Sequence, residues 1–202
     1  MRVIEFITDF GDQAIVLPVV TLILISLCIQ AQWRAAYSWV VTCGFALGSV
    51  GVAKALLYAC GWRLPSASAS WLSVQSPSGH TVSTALIVGG ICALFAGRSG
   101  WPAFRIAGAA ATIAASLIAW TRLYLGAHLL AEVSIGLLVG VLAIGLFVLL
   151  AGADLRRKRS RLVLIGVFAI AVALHGNRAP AEQLIRVRLA EIIQQVTPYC
   201  AR

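Results

Sequence analysis

The chain has 202 residues, 60% of them hydrophobic and only 11% charged, with a mean hydropathy of +0.93. Such values exclude an ordinary water-soluble domain, in which about a quarter of residues are charged, and the fold class they predict is an all-α membrane protein, because lipid leaves free backbone groups unsatisfied unless they lie in helices. The net charge of +9 does not point to nucleic acid: half of the 16 basic residues stand beside apolar runs, where they set orientation.

The N-terminal segment carries Glu5, Asp9 and Asp12 in place of the basic start of a signal peptide, so the first apolar run is expected to remain in the protein. Apolar runs follow at 14–29, 36–59, 81–97, 106–120, 129–152 and 162–174, most of them near the roughly 20 residues that cross a bilayer. About six transmembrane helices in a bundle are therefore predicted. The last run is short even with Arg161 and His175 reaching to the two interfaces, which leaves a re-entrant or partly buried helix open. No linker, repeat or low-complexity tract divides the chain, and 1–202 reads as one integral membrane domain.

Arg34, then Arg98 and Arg105, then Arg156, Arg157, Lys158, Arg159 and Arg161 fall on alternate connections. By the positive-inside rule that side is cytoplasmic, and the connections 61–79 and 121–128, with the N-terminal segment, face outward. Cys28, Cys43 and Cys92 sit inside apolar runs and are assigned to packing. Cys60 and Cys200 both fall on the outer side, where a disulfide is conceivable.

Lys54 lies over a turn inside the second apolar run, where an ammonium either reaches the headgroups or meets an anion. The long connection after it, rich in turn formers between Leu64 and Ser70, has the makings of a lid or interfacial loop. It ends in Ser76-Pro77-Ser78-Gly79, a helix-start signal whose free N–H groups favour an anion. His80 follows at once, and alone it reads equally as an interfacial histidine.

The next outward connection brings Arg122, then His128 six residues on and Glu132 four further. On a helix starting near His128, Glu132 lies one turn on and faces the same way, where its carboxylate fixes the imidazole tautomer and leaves the other ring nitrogen as nucleophile or base. The alternative is a salt bridge between Arg122 and Glu132 that ties two helices together.

Together these residues resemble the type 2 phosphatidic acid phosphatase family, membrane relatives of acid phosphatases and vanadium-dependent haloperoxidases. Pro77-Ser78-Gly79-His80 matches one family motif unchanged, and Thr121-Arg122, His128 and Glu132 look like a second, with Glu in the family's Asp place and Thr in its Ser place. Lys54 and, nine positions on, Arg63-Leu64-Pro65 approximate a third, in which the family's Arg-Pro follows seven positions after the Lys. The resemblance covers 54–152.

It implies a core four-helix phosphatase unit in which His128 attacks phosphorus, Glu132 orients it, and His80 protonates the leaving oxygen. Lys54, Arg63, Ser78, Gly79 and Arg122 would hold the phosphoryl oxygens, so no metal cofactor is expected. An outward site at headgroup depth suits a lipid phosphate among the membrane lipids: phosphatidic acid, phosphatidylglycerol phosphate, undecaprenyl pyrophosphate or phosphorylated lipid A. The reading is thus a lipid phosphatase at the outer, periplasmic face of a bacterial plasma membrane, acting through a phosphohistidine. A phosphotransferase on the same scaffold, or a lipid-phosphate binding or transport protein without turnover, remains as an alternative. Beyond the last run, 181–196 reads as an amphipathic helix, with Ile185, Leu189, Ile192 and Val196 on one face, either on the outer leaflet or packed on the domain or a partner.

Overall fold

The computed structural model describes residues 2–60, 76–96, 100–156 and 161–177, and every regular element among them is helical. A short amphipathic helix, α1 (Arg2–Asp9), turns over Phe10–Asp12 into α2 (Gln13–Ile29). Asp12 caps α2: its Oδ1 accepts the Ala14 N–H at 2.9 Å, satisfying a donor that the first turn leaves without an intrahelical partner. At the other end of α2, Ala31 takes a φ of 52° and the Gln32 N–H reaches the Leu27 carbonyl at 3.0 Å, a left-handed turn that sends the chain back into α3 (Trp33–Cys60).

Then come α4 (Gly79–Phe95), α5 (Trp101–Tyr124) with Pro102 in its first turn, α6 (Leu130–Ala151), a 3-10 turn at Gly152–Arg156, and α7 (Arg161–Leu174). Helices α2 to α7 fall on the six predicted apolar runs; α1 was not anticipated. Among the described residues, four segments are long and apolar enough to cross a membrane: Val3–Ile29, Trp33–Leu56, Trp101–Tyr124 and Leu130–Leu155. The third and sixth runs make shorter helices. At 17 residues α4 is about 26 Å long against a hydrocarbon core of about 30 Å.

Helix α4 is the centre of the bundle, packed against α2, α3, α5 and α6. It gets close to its neighbours through small residues, the usual device where lipid gives no hydrophobic drive between helices. Ala103, Ala107, Ala111 and Ala115 recur every four residues on α5 and are fully buried, and Ala111 meets α4 at Gly89. Gly136 and Gly140 of α6 lie against Ser78 and Ala85 of α4, and Gly90 lies under the ring of Trp39. That buried indole donates to the Val20 carbonyl at 3.1 Å and meets Phe147 edge-on with centroids 5.2 Å apart, so one side chain joins α2, α3, α4 and α6.

The two ends of the bundle differ. At one, Arg34 Nε donates to the Leu150 carbonyl at 2.7 Å and the Ala35 N–H to Asp154 Oδ2 at 3.2 Å, joining α3 to the basic end of α6. Helix α7 starts beside Ile29 and Gln30 at the end of α2, passes Leu22 at Gly166, and finishes with His175 tilted against Phe6, ring centroids 4.1 Å apart. It therefore runs the length of α2, although it has only 14 residues.

Candidate active site

The site is built at the end of the bundle opposite Arg34, around the start of α4 and the connection from α5 to α6. Helix α6 opens after Leu129, and its third residue, Glu132, turns its carboxylate back over the helix start. Glu132 Oε2 accepts the Leu129 N–H at 3.1 Å, as a capping glutamate does. The same oxygen receives His128 Nδ1 at 2.7 Å, so the predicted i, i+4 pair is formed. Oε1 accepts the Ser76 N–H at 2.7 Å, and the Glu132 carbonyl accepts the Ser78 N–H at 3.2 Å. A carboxylate that is only 4% exposed thus ties the entry to α4 onto α6 while it orients a histidine. The methylene that distinguishes Glu from the expected Asp does not draw the carboxylate away from the imidazole.

With Nδ1 held by an acceptor, the proton of neutral His128 resides there and Nε2 carries the free lone pair. His128 lies between the spans, after Tyr124 and before Leu130. Burial lowers its pKa from the ordinary histidine value; the bond and charge of Glu132 oppose this, and the positive charges of Arg122 and Lys54 add to the lowering.

Ser78 stands at the N-cap of α4, as the sequence predicts, but its hydroxyl does not cap the backbone. It accepts instead from Thr81 Oγ1 at 3.0 Å, while the Ser78 carbonyl lies close against α6 at Gly136. A Cβ placed on Gly79 would meet nothing within 4 Å, so the first N–H groups of α4 open onto free space. His80 is next, its carbonyl accepting from Thr84 Oγ1 at 2.9 Å.

Arg122, in the last turn of α5, and Lys54, in α3, both lie near enough to act electrostatically on His80 and His128. Thr121 is buried with its hydroxyl turned to the Ile118 carbonyl at 2.7 Å, away from such a role. Lys54, Ser78, Gly79, His80, Arg122, His128 and Glu132 therefore share one end of the bundle. Arg63, the possible lid in 61–75, Cys200 and the 181–196 helix lie outside the described residues.

A family model described as the PAP2 superfamily matches residues 55–156, half of the chain. The chain belongs to the PAP2 superfamily. The PAP2 match contains Ser78, Gly79, His80, Arg122, His128 and Glu132, begins one residue after Lys54, and leaves α1, α2 and α7 outside it. No curated protein and no solved structure matches the chain. Membership and the apolar helices together make this a membrane protein of phosphatase type.

Sequence reasoning missed two features of this PAP2 site. One is the Ser76 N–H as a partner of Glu132. The other is the turn between α1 and α2, which lies on His80: a Cβ on Gly11 would be 3.1 Å from both the His80 Cβ and its carbonyl oxygen. An acidic residue ahead of an apolar run signals a helix cap, and position 12 carried that signal, but nothing linear connects it with position 80.

Proposed function

We propose that the protein hydrolyses a phosphate monoester or pyrophosphate of a membrane lipid through a phosphohistidine. The observation that carries this reading is the 2.7 Å bond from His128 Nδ1 to Glu132, which leaves Nε2 of a largely neutral imidazole as the nucleophile. Nε2 attacks phosphorus, the bond to the leaving oxygen breaks, and His80 transfers its proton to that oxygen. Water then attacks the phosphohistidine, returning a proton to His80 and freeing His128. Lys54, Arg122 and the opening N–H groups of α4 stabilise the charge on the phosphoryl oxygens, and Arg63 is an expected further ligand.

A lipid substrate is supported by what lies beneath His80. An apolar cavity of about 280 Å³ is lined by Thr84, Ile87 and Val88 of α4 with Phe10, Leu117 and Ile118, beginning one turn below the histidine. Thr84 and Val88 lie about 6 and 12 Å along the helix from His80, the direction a hydrocarbon chain takes from a headgroup at the surface. We further assign the site to the outer face of the plasma membrane, because Arg34 and the 3-10 turn that leads into the basic run of the sequence lie at the other end.

The test is phosphate release by purified, detergent-solubilised protein from a panel of lipid phosphates and pyrophosphates in EDTA. The parent is expected to release phosphate with the chelator present. His128→Ala and His80→Ala should each lose activity by at least about 100-fold. An acid-labile phosphoenzyme should form in the parent and not in His128→Ala. Release that survives His128→Ala would sink the nucleophile assignment, and product formed only when a second lipid is supplied would turn the reading to phosphotransfer.

A further inference from the structure

The turn between α1 and α2 is held against the start of α4 at three points. Gly11 sits on the His80 backbone, with no room for a side chain without a shift. Gln13 Nε2 donates to Ser83 Oγ at 3.0 Å, one turn along α4. Between them Asp12, 8% exposed, uses Oδ1 to cap α2 and brings Oδ2 to 3.8 Å from His80 Nε2. The other charged groups that act on His80 are Arg122 from α5, Lys54 from α3 and, when protonated, His128 from the connection before α6. Burial is the largest influence against a protonated imidazole, and these three cations add to it; Asp12 is the group that opposes them. Glu132, from α6, directs its oxygens to Ser76, Leu129 and His128, and His175, after α7, is turned to the Phe6 carbonyl.

We propose that Asp12 is a positioning residue for the acid of the reaction, its carboxylate facing His80 Nε2 and favouring the protonated imidazole from which the proton passes to the leaving oxygen. The separation suits that task. At 3.8 Å the carboxylate favours the imidazolium by charge but is too far to hold the proton in a hydrogen bond, so the proton remains available. As the His128–phosphorus bond forms and the bond to the leaving oxygen breaks, the Nε2 proton passes to that oxygen. His80 is left neutral until the hydrolytic water restores the proton, and Asp12 itself exchanges none. The residue lies outside the segment that matches the PAP2 model, so this chain supplies the group from its own N-terminal helices.

The inference rests on the phosphatase reading, and Asp12→Asn tests it, since Asn caps a helix about as well as Asp and keeps α2 intact. In the variant, kcat/KM should fall about tenfold on a lipid or alkyl phosphate. On p-nitrophenyl phosphate, whose leaving group needs little protonation, it should fall less than about threefold. The basic limb of the pH profile for the alkyl ester should move down by about one pH unit, because an acid lost its supporting charge. Equal losses on both esters with an unmoved limb would mean that Asp12 is merely structural.

Histidine-selective NMR provides a readout independent of turnover. The titration midpoint of His80, assigned by its absence in His80→Ala, should fall in Asp12→Asn. An unmoved midpoint in an active parent overturns the role of Asp12 alone. A parent inactive on both esters sinks the phosphatase reading and the acid assignment with it, even if the midpoint moves.

Discussion

Three donors among the described residues meet the oxygens of Glu132, and each bond constrains a different part of the site: the Ser76 N–H places the entry to α4, the Leu129 N–H fixes the start of α6, and Nδ1 sets the face His128 presents. The burial that secures this geometry also keeps the imidazole neutral. Nucleophilic capacity belongs to the neutral form, so it is present above the folded pKa and lost as pH falls through it. Because that pKa lies below 6.5, the acid limb of kcat/KM, corrected for the substrate's own ionisation, should have its midpoint below pH 6.5. A limb above 6.5 would show that the charge of Glu132 outweighs desolvation. The pairing of His128 with Glu132 was readable from the sequence because four residues make one helical turn. The third bond was not, since the Ser76 N–H comes from a segment 56 positions away.

The contact that decides the site at the scale of elements is α4 on α6. A methyl group on Gly136 would stand 2.8 Å from the Ser78 carbonyl oxygen, a backbone atom that can yield only if the start of α4 moves. Gly136→Ala is therefore expected to destabilise the protein by about 1–3 kcal/mol, read as a lower thermal midpoint in detergent, and to lower kcat by at least about tenfold through displacement of Ser78 to His80. Gly44→Ala, where an added Cβ meets nothing within 4 Å, should leave both unchanged. Helices α2 to α7 were legible because a membrane demands uninterrupted apolar runs. α1 was hidden by its amphipathic composition, since a short helix that alternates Glu5 and Asp9 with Ile4, Phe6 and Ile7 has no such run. The partner of the Ser78 hydroxyl was not legible either: its sequence neighbours define a helix start, but the hydroxyl accepts from Thr81 instead of capping the backbone.

At the scale of the molecule, the charged groups named above among the described residues are sorted to the two ends. Arg34 and Asp154 fasten the basic end, whereas Asp12, Lys54, Arg122 and the two histidines gather at the other. In a cysteine-free background, Asn177→Cys, beside the exposed end of α7, should react with a membrane-impermeant maleimide on intact cells. Ala153→Cys, exposed in the 3-10 turn, should react only after permeabilisation. The reverse pattern would place the site on the cytoplasmic side. The general plan of the molecule was open to inspection in the sequence, because spans and basic connections are local signals. The seating of the N-terminal turn on His80 was not, because it depends on how α2 leans on α4. The Ser76–Glu132 bond has a further bearing on biogenesis. Helices enter the membrane in order of synthesis, and the Ser76 N–H finds its carboxylate only when α6 has followed α4 and docked on it. On the proposed reading the complete site thus arrives late in assembly, and phosphate release would report completed helix docking rather than insertion alone.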